Sequence, residues 1–411
     1  MNQGHRQCRR GLGVVVWLAV ATSCASTPST APSVAETEPI TATAPPSPTT
    51  DPSASSTTPP TTVSRGDSIP SSVAEYSGKL GDIIYSKKSI GSDDSSLFTI
   101  DADGTNEQLV RASIEGVQLS PDGRTLCGTA VNPDGLLRPL MLRVDGSGED
   151  FAPLADATLQ LGCADWSPDG TRLFTEGWDV DDPSRNGTYT VSALDGGLVR
   201  VSDAHGGHDY PLMYSPDGNK LLFMRPVVAS DDFNASMNLF VVNADGSGLV
   251  QLNPPGIETS PDAPNSRASW SPDGQHVAFL ASKGDMAKSS ARAIFVVAAD
   301  GSNLLRITDW SEMETMDWSP DGTLIAFTWV DDLHQGIYTV HPDGTGLNYI
   351  PPPDRGLSIL GAVWSPDSSK LLFPVYTGNI ADLWTANADG TDLVQVTHAP
   401  GGYDGFQWVP R

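Results

Sequence analysis

A five-residue word, WSPDG, begins at Trp166, Trp270 and Trp318, and near-copies stand in "VQLSPDGRTL" from Val117, "LMYSPDGNKLLF" from Leu212 and "AVWSPDSSKLLF" from Ala362. A second word alternates with it. It runs "SLFTIDADGTNEQLV" from Ser96, "LMLRVDGSGEDFAPL" from Leu140, "TYTVSALDGGLVRVS" from Thr188 and "NLFVVNADGSGLVQL" from Asn238. It continues in "AIFVVAADGSNLLRIT" from Ala293, "GIYTVHPDGTGLNYI" from Gly336 and "DLWTANADGTDLVQVT" from Asp382. A period of about 40 to 55 residues is that of an array or a propeller, so each copy must bury its apolar faces against the next. In "WSPDGTLIAF", Pro320 presets φ for a turn, Asp321 can bond nearby backbone, and Gly322 accepts positive φ. Ile325 and Phe327 then alternate with Ala326, the period of a strand. The Asp-Gly between "IYTV" and "GLNYI" marks a hairpin.

Each unit thus reads as four antiparallel strands: A ending in WS, B carrying IAF, C carrying IYTV, and D ending in LNYI. Strands B, C and D each occur seven times, the first set being "DIIYSKK" from Asp82, "LFTID" from Leu97 and "EQLV" from Glu107. No A strand precedes that first set. "GFQWVPR" (Gly405 to Arg411) supplies it, with Trp408 and Pro410 in the places of Trp318 and Pro320. The expected architecture is an all-β, seven-bladed propeller of four-stranded blades, closed by the C-terminal strand so that no sheet edge is left open. Trp166, Trp270, Trp318, Trp364 and Trp408 are expected to pack between neighbouring blades, and the Asp beside each to serve its turn.

The WSPDG, IAF, IY, DG, LT succession resembles the WD-like propeller repeats of the TolB family, which also occur in the propeller domains of prolyl-oligopeptidase-type peptidases. The resemblance covers about Leu80 to Arg411. It implies a propeller, but six blades are usual in TolB and seven are expected here, so function transfers poorly. The peptidases need a hydrolase domain, and no G-x-S-x-G occurs in the sequence.

Ahead of the repeats, Arg6, Arg9 and Arg10 precede a short apolar run, "GLGVVVWLAVAT", which ends in "VATSC" at Cys24. This reads as an export signal, too short for a spanning helix, and "VATSC" resembles a bacterial lipobox in which Cys24 carries acyl chains. Residues 24–75 are dominated by Ser, Thr, Pro and Ala and cannot bury a core, so a disordered tether is expected, reaching roughly 40 Å on average. The expected organisation is therefore 1–23 signal, 24–75 linker and 76–411 propeller, on a lipoprotein in the bacterial cell envelope facing outside the cytoplasm. With 50 acidic against 24 basic residues, a net charge of −26, nucleic acid is excluded as a partner.

In such a ring the A–B and C–D turns share one face and the B–C and D–A connections the other. The second face carries the long irregular segments, so binding is expected there. Recurring Asp pairs lie in its B–C loops: Asp93 and Asp94, Asp181 and Asp182, Asp231 and Asp232, Asp331 and Asp332. They could hold Ca²⁺ or attract a basic partner, or be solvated acidic loops without EF-hand spacing. In "DAHGGHDYP", His205, His208 and Asp209 are candidate ligands of a transition metal, with His334 and His398 on loops of the same face. Cys127 and Cys163 fall at similar depth on adjoining blades, where a disulfide or two buried thiols would fit.

The leading reading is a monomeric, lipid-anchored binding or scaffolding module, with no cofactor required and a protein or carbohydrate ligand in the envelope. The rival is a metal-assisted polysaccharide lyase or hydrolase acting at the channel mouth. If Cys24 carries the anchor, Cys24→Ser moves the protein from the membrane pellet to the soluble fraction on cell fractionation.

Overall fold

The computed structural model describes residues 74–410 apart from 89–94, 113, 155, 157, 204–207, 228–235, 260–267, 284–290, 331–334, 355–356, 379 and 399–400. Among these residues every regular element is a strand except one 3-10 turn, Pro183–Arg185. Pro and Gly punctuate the turns, and β-branched and aromatic residues fill the strands between them. The molecule is an all-β propeller.

Six hydrogen-bonded sheets follow one another along the described chain. The first holds Ile83–Lys88, Ser95–Ile100 and Gln108–Arg111. The second holds Glu115–Leu119, Thr125–Val131, Leu137–Arg143 and Glu149–Phe151. The third is built on Asp165–Trp166, Arg172–Trp178, Gly187–Ser192 and Leu198–Arg200. The fourth contains Tyr210–Tyr214, Lys220–Pro226, Met237–Asn243 and Val250–Gln251. The sixth is built on Val363–Trp364, Lys370–Thr377, Ile380–Asn387 and Val394–Gln395.

The fifth sheet differs from the expected pattern, having nine strands and two SPDG turns. The chain reverses in a short link after Arg306, so Ser311 and Glu312 pair with Arg292 and Ala291 of the unit before. Two sequence units are thereby fused into one hydrogen-bonded sheet.

Closure occurs as the C-terminal Trp and Pro imply. Gly402–Trp408 lies antiparallel to Ile83–Lys88, with Ile83 opposite Trp408 and Ile84 opposite Gln407, and Val409 N donates to Asp82 O at 2.8 Å. An element the repeat pattern does not contain is the two-residue strand Ala74–Glu75, which adds to the outer edge of this sheet in parallel with Gln108 and Leu109.

The strands that follow the SPDG turns do not have one wet face. Ile325, Ala326 and Phe327 are all fully buried, because each sheet in a ring has a neighbour on either side. Ile325 and Phe327 pack with Trp318, whereas Ala326 packs with Trp364 of the following sheet. The small residue leaves room for the next indole. Ala278 does the same beneath Trp318 and Cys127 beneath Trp166, whereas the less bulky Tyr214 lies against Phe174.

Polar contacts lock the same seams. Trp166 Nε1 donates to Gln118 O (3.2 Å), Trp364 Nε1 to Asp317 O (3.3 Å) and Trp408 Nε1 to Val363 O (3.4 Å). Gln407 Nε2 donates to Val117 O (3.4 Å), carrying the series from the first sheet to the second. Trp270 and Trp318 are equally buried, but their indole N–H groups have no acceptor among the described residues. A buried hydrogen bond contributes about 1 kcal/mol net. Trp364→Phe should therefore cost about 1 kcal/mol more than Trp270→Phe in guanidinium denaturation; equal losses would assign the seam to packing alone.

Candidate functional site

The turns that make the repeat also set its charge. In each SPD turn the serine hydroxyl donates to the aspartate two residues on: Ser120 to Asp122 at 2.7 Å, Ser167 to Asp169 at 2.6 Å, Ser319 to Asp321 at 2.7 Å and Ser365 to Asp367 at 2.6 Å. The same carboxylate accepts the backbone N–H two residues further along, as Asp169 does from Thr171 (3.0 Å). These bonds favour the ionised form. The Ser120 hydroxyl holds Asp122 below its ordinary value, the Ser167 hydroxyl does the same for Asp169, and Ser365 with Ser369 bring Asp367 down to about 2. The aspartates serve the turns and are fixed as anions on one face.

Among the described residues, space opens on that face; much of the irregular face, where binding is expected, lies outside them. A cleft of about 1140 Å³ lies between the second and third sheets, walled by the Ser120–Asp122 and Pro168–Gly170 turns. Met141, Phe151, Trp166 and Ala193 give it apolar surface. A second cleft, about 760 Å³, lies on the other side of the Pro168–Asp169 turn, against the fourth sheet. The turn carrying Leu194 comes so close to Pro153 that a Cβ at Gly196, where φ is +70°, would sit 1.8 Å from Pro153 O. Glycine is required there.

Behind the larger cleft, Cys127 and Cys163 form a disulfide between the second and third sheets, with Cα atoms 6.2 Å apart. Both sulfurs belong to the cluster that holds Trp166, with Met141 and Ala193 packed on it, so the floor of the cleft is tied covalently.

On the other face the candidate ligands have partners of their own. Asp209 is fully buried, and its carboxylate accepts two bonds from Arg225 (2.7 and 2.6 Å) and one from Ser202 (2.5 Å). The Arg225 guanidinium lies over the Phe223 and Phe240 rings at 5.5 and 5.4 Å. This corrects Asp209 from a metal ligand to the anion of a buried pair. His208 Nδ1 contacts Glu176 Oε1 at 2.5 Å, and its ring lies beside Tyr210. Asp182 caps the 3-10 turn, accepting from Ser184 N at 3.1 Å, while Asp181 N donates to Asp179.

Asp179 is the residue that sequence reading missed. It is buried, accepts from the Thr158 hydroxyl at 2.7 Å and pairs with Arg185 at 2.6 Å; Arg185 also pairs with Asp156. The Thr158 hydroxyl is the main cause holding its carboxyl below the ordinary value. His398 is exposed near Asp382, whose carboxyl burial pushes up. His205, His334, Asp93, Asp94, Asp231, Asp232, Asp331, Asp332 and Cys24 lie outside the described residues. Among the described residues no three His, Cys, Asp or Glu side chains gather to hold a metal ion.

A ring of SPDG-turned sheets, closed by pairing of its C-terminal strand and opening clefts between neighbours, defines a β-propeller. Residues 141–410 match the TolB beta propeller domain family, and the chain belongs to that family. A Tol-Pal system protein TolB of Anaeromyxobacter dehalogenans (strain 2CP-C) is 29% identical over 100 residues, 24% of this chain and 22% of that relative. The chain therefore matches only about a fifth of the length of its curated relatives. Among solved structures, a puromycin hydrolase mutant superposes with a TM-score of 0.57 at 14% identity, over 80% of this chain and 54% of that one. An oligogalacturonate lyase in complex with manganese superposes at 0.54 with 14% identity, over 82% and 89%. At these identities the likeness shows the fold alone.

Beside the larger cleft, Asp165 turns its carboxylate to Tyr214 N of the fourth sheet (2.8 Å), as Asp317 does to Trp364 N (3.1 Å). Desolvation in the seam pushes each up to about 7, although the backbone bonds oppose it. A folded value above the unfolded one means that the native state binds more protons, so this contribution is complete below the unfolded value and is lost as pH rises through about 7. The denaturation midpoint should fall between about pH 4 and about pH 7, and the Asp165→Asn, Asp317→Asn double variant should flatten that fall. A double variant with the wild-type pH dependence would remove these carboxyls as its source.

Proposed function

We propose that this propeller is an exported binding module of the bacterial cell envelope that engages a protein partner through the cleft-bearing turn face. The observation that carries the reading is the open cleft between the second and third sheets on a rigid, closed ring, its floor joined by Cys127 and Cys163. A rigid frame with clefts between repeats binds without paying to order itself. Membership in the TolB propeller family and the Tol-Pal system name of the matched relative support an envelope setting.

The "VATSC" sequence at Cys24 supports a lipid anchor, and the Ser/Thr/Pro-rich residues 24–75 support a tether that holds the ring off the membrane. Seven blades are the proposed count. The nine-stranded sheet contains two complete sequence units, which with the other five sheets gives one blade per repeat. The rival lyase or hydrolase reading keeps His205 and His208 as its metal ligands, with Asp209 no longer among them.

A photo-crosslinking amino acid at Leu194, on the cleft rim, should yield a discrete protein adduct in intact cells, whereas the same group at Val131 on the opposite face should not. Adducts from Val131 alone would return binding to the irregular face. One bound ion per chain in the purified protein, lost on His205→Ala and His208→Ala, would favour the enzyme instead.

A further inference from the structure

Leu194 is 88% exposed, the highest value for any large apolar side chain among the described residues. It stands on the rim of the larger cleft, above the apolar surface of Met141, Phe151 and Trp166. An isolated exposed leucine needs no explanation, but one continuous with an apolar floor marks a contact surface. The rim around it is anionic. Asp122, Asp150 and Asp169 line the opening, and the hydroxyl and backbone bonds of the two turns hold Asp122 and Asp169 ionised. Glu149 is answered by Arg111 at 2.8 Å, which leaves Arg143 as the cation of the lining. The adjoining cleft continues the same sign with Asp217 and Asp245, while its Arg172 donates to Thr190 and to Gly197 O.

We infer that the cleft between the second and third sheets receives an extended segment of a partner protein in which a Lys or Arg stands next to an apolar side chain. The inference rests on the binding-module reading and adds the chemistry of the partner. Charge complementarity selects the cation, and the floor selects the apolar neighbour. A polyamine would satisfy the rim and leave the floor wet. A second copy of this chain, at a net charge of −26, would bring like charge to an acidic rim.

The test uses the purified protein and a dye-labelled synthetic peptide, Lys-Leu-Lys-Pro-Leu-Lys, followed by fluorescence anisotropy. Saturable one-to-one binding is expected, weakened several-fold between about 50 and about 200 mM salt. Asp150→Lys should weaken it about tenfold and Leu194→Ser several-fold. Asp122→Asn with Asp169→Asn keeps an oxygen for each turn and should also weaken it. Asp367→Asn, at the SPD-turn aspartate of the sixth sheet, should change nothing.

Absence of binding, equal affinity in every variant, or displacement by spermidine as effective as by unlabelled peptide would each overturn the inference. If adducts still form at Leu194 in cells while the peptide fails, the binding-module reading stands and only this partner chemistry falls.

Discussion

This fold depends on a large apolar side chain, aromatic in every unit but that of Leu119, finding its place against the preceding unit. Trp166, Trp364 and Trp408 each bring an indole N–H within hydrogen-bond reach of a carbonyl on the inner strand of the sheet before, at 3.2–3.4 Å. A small residue such as Ala326 or Cys127 gives the ring its space. The pairing sets both the spacing and the axial offset between neighbours. Where the offset is right, the SPDG turns stand side by side, and the gaps between them become the clefts. The word repeated along the chain is therefore a joint, and the cleft is what two joints leave between them.

Much of this was legible because it is local. Pro320, Asp321 and Gly322 encode a turn by conformational preference alone, and the serine two residues before each aspartate completes it. The closing strand was legible from Trp408 and Pro410, since they repeat the spacing of Trp318 and Pro320. Period-two alternation places Ala326 on the opposite side from Ile325 and Phe327, and the next sheet covers that side through Trp364. The fusion of two units in the fifth sheet was invisible because it depends on the path of a short link after Arg306.

The site was less legible than the scaffold for a physical reason. Asp209 reads as a ligand beside His205 and His208, yet Arg225, from the next strand, neutralises it in the interior. A cation sixteen positions away leaves no periodic trace. The clue was chemical: "LLFMRP" ends an apolar strand in an arginine that needs an anion once buried. Asp179 was passed over for the doubled Asp181 and Asp182, although it is the one enclosed with Thr158 and Arg185. The clefts had no sequence signal at all, because they belong to the space between turns and not to any turn.

The two-residue strand Ala74–Glu75 has a mechanical meaning. It lies on the outermost edge of the first sheet, in parallel with Gln108 and Leu109, with Tyr76 Oη donating to Val144 O and Ser77 N to the Gln108 side chain (2.7 Å). Tension arriving through the residues before Ala74 is met by this clasp in shear. Three strands, Gln108–Arg111, Ser95–Ile100 and Ile83–Lys88, separate it from the seam with Gly402–Trp408. A pull from that side therefore meets the Ala74–Glu75 pairing before it reaches the closing seam.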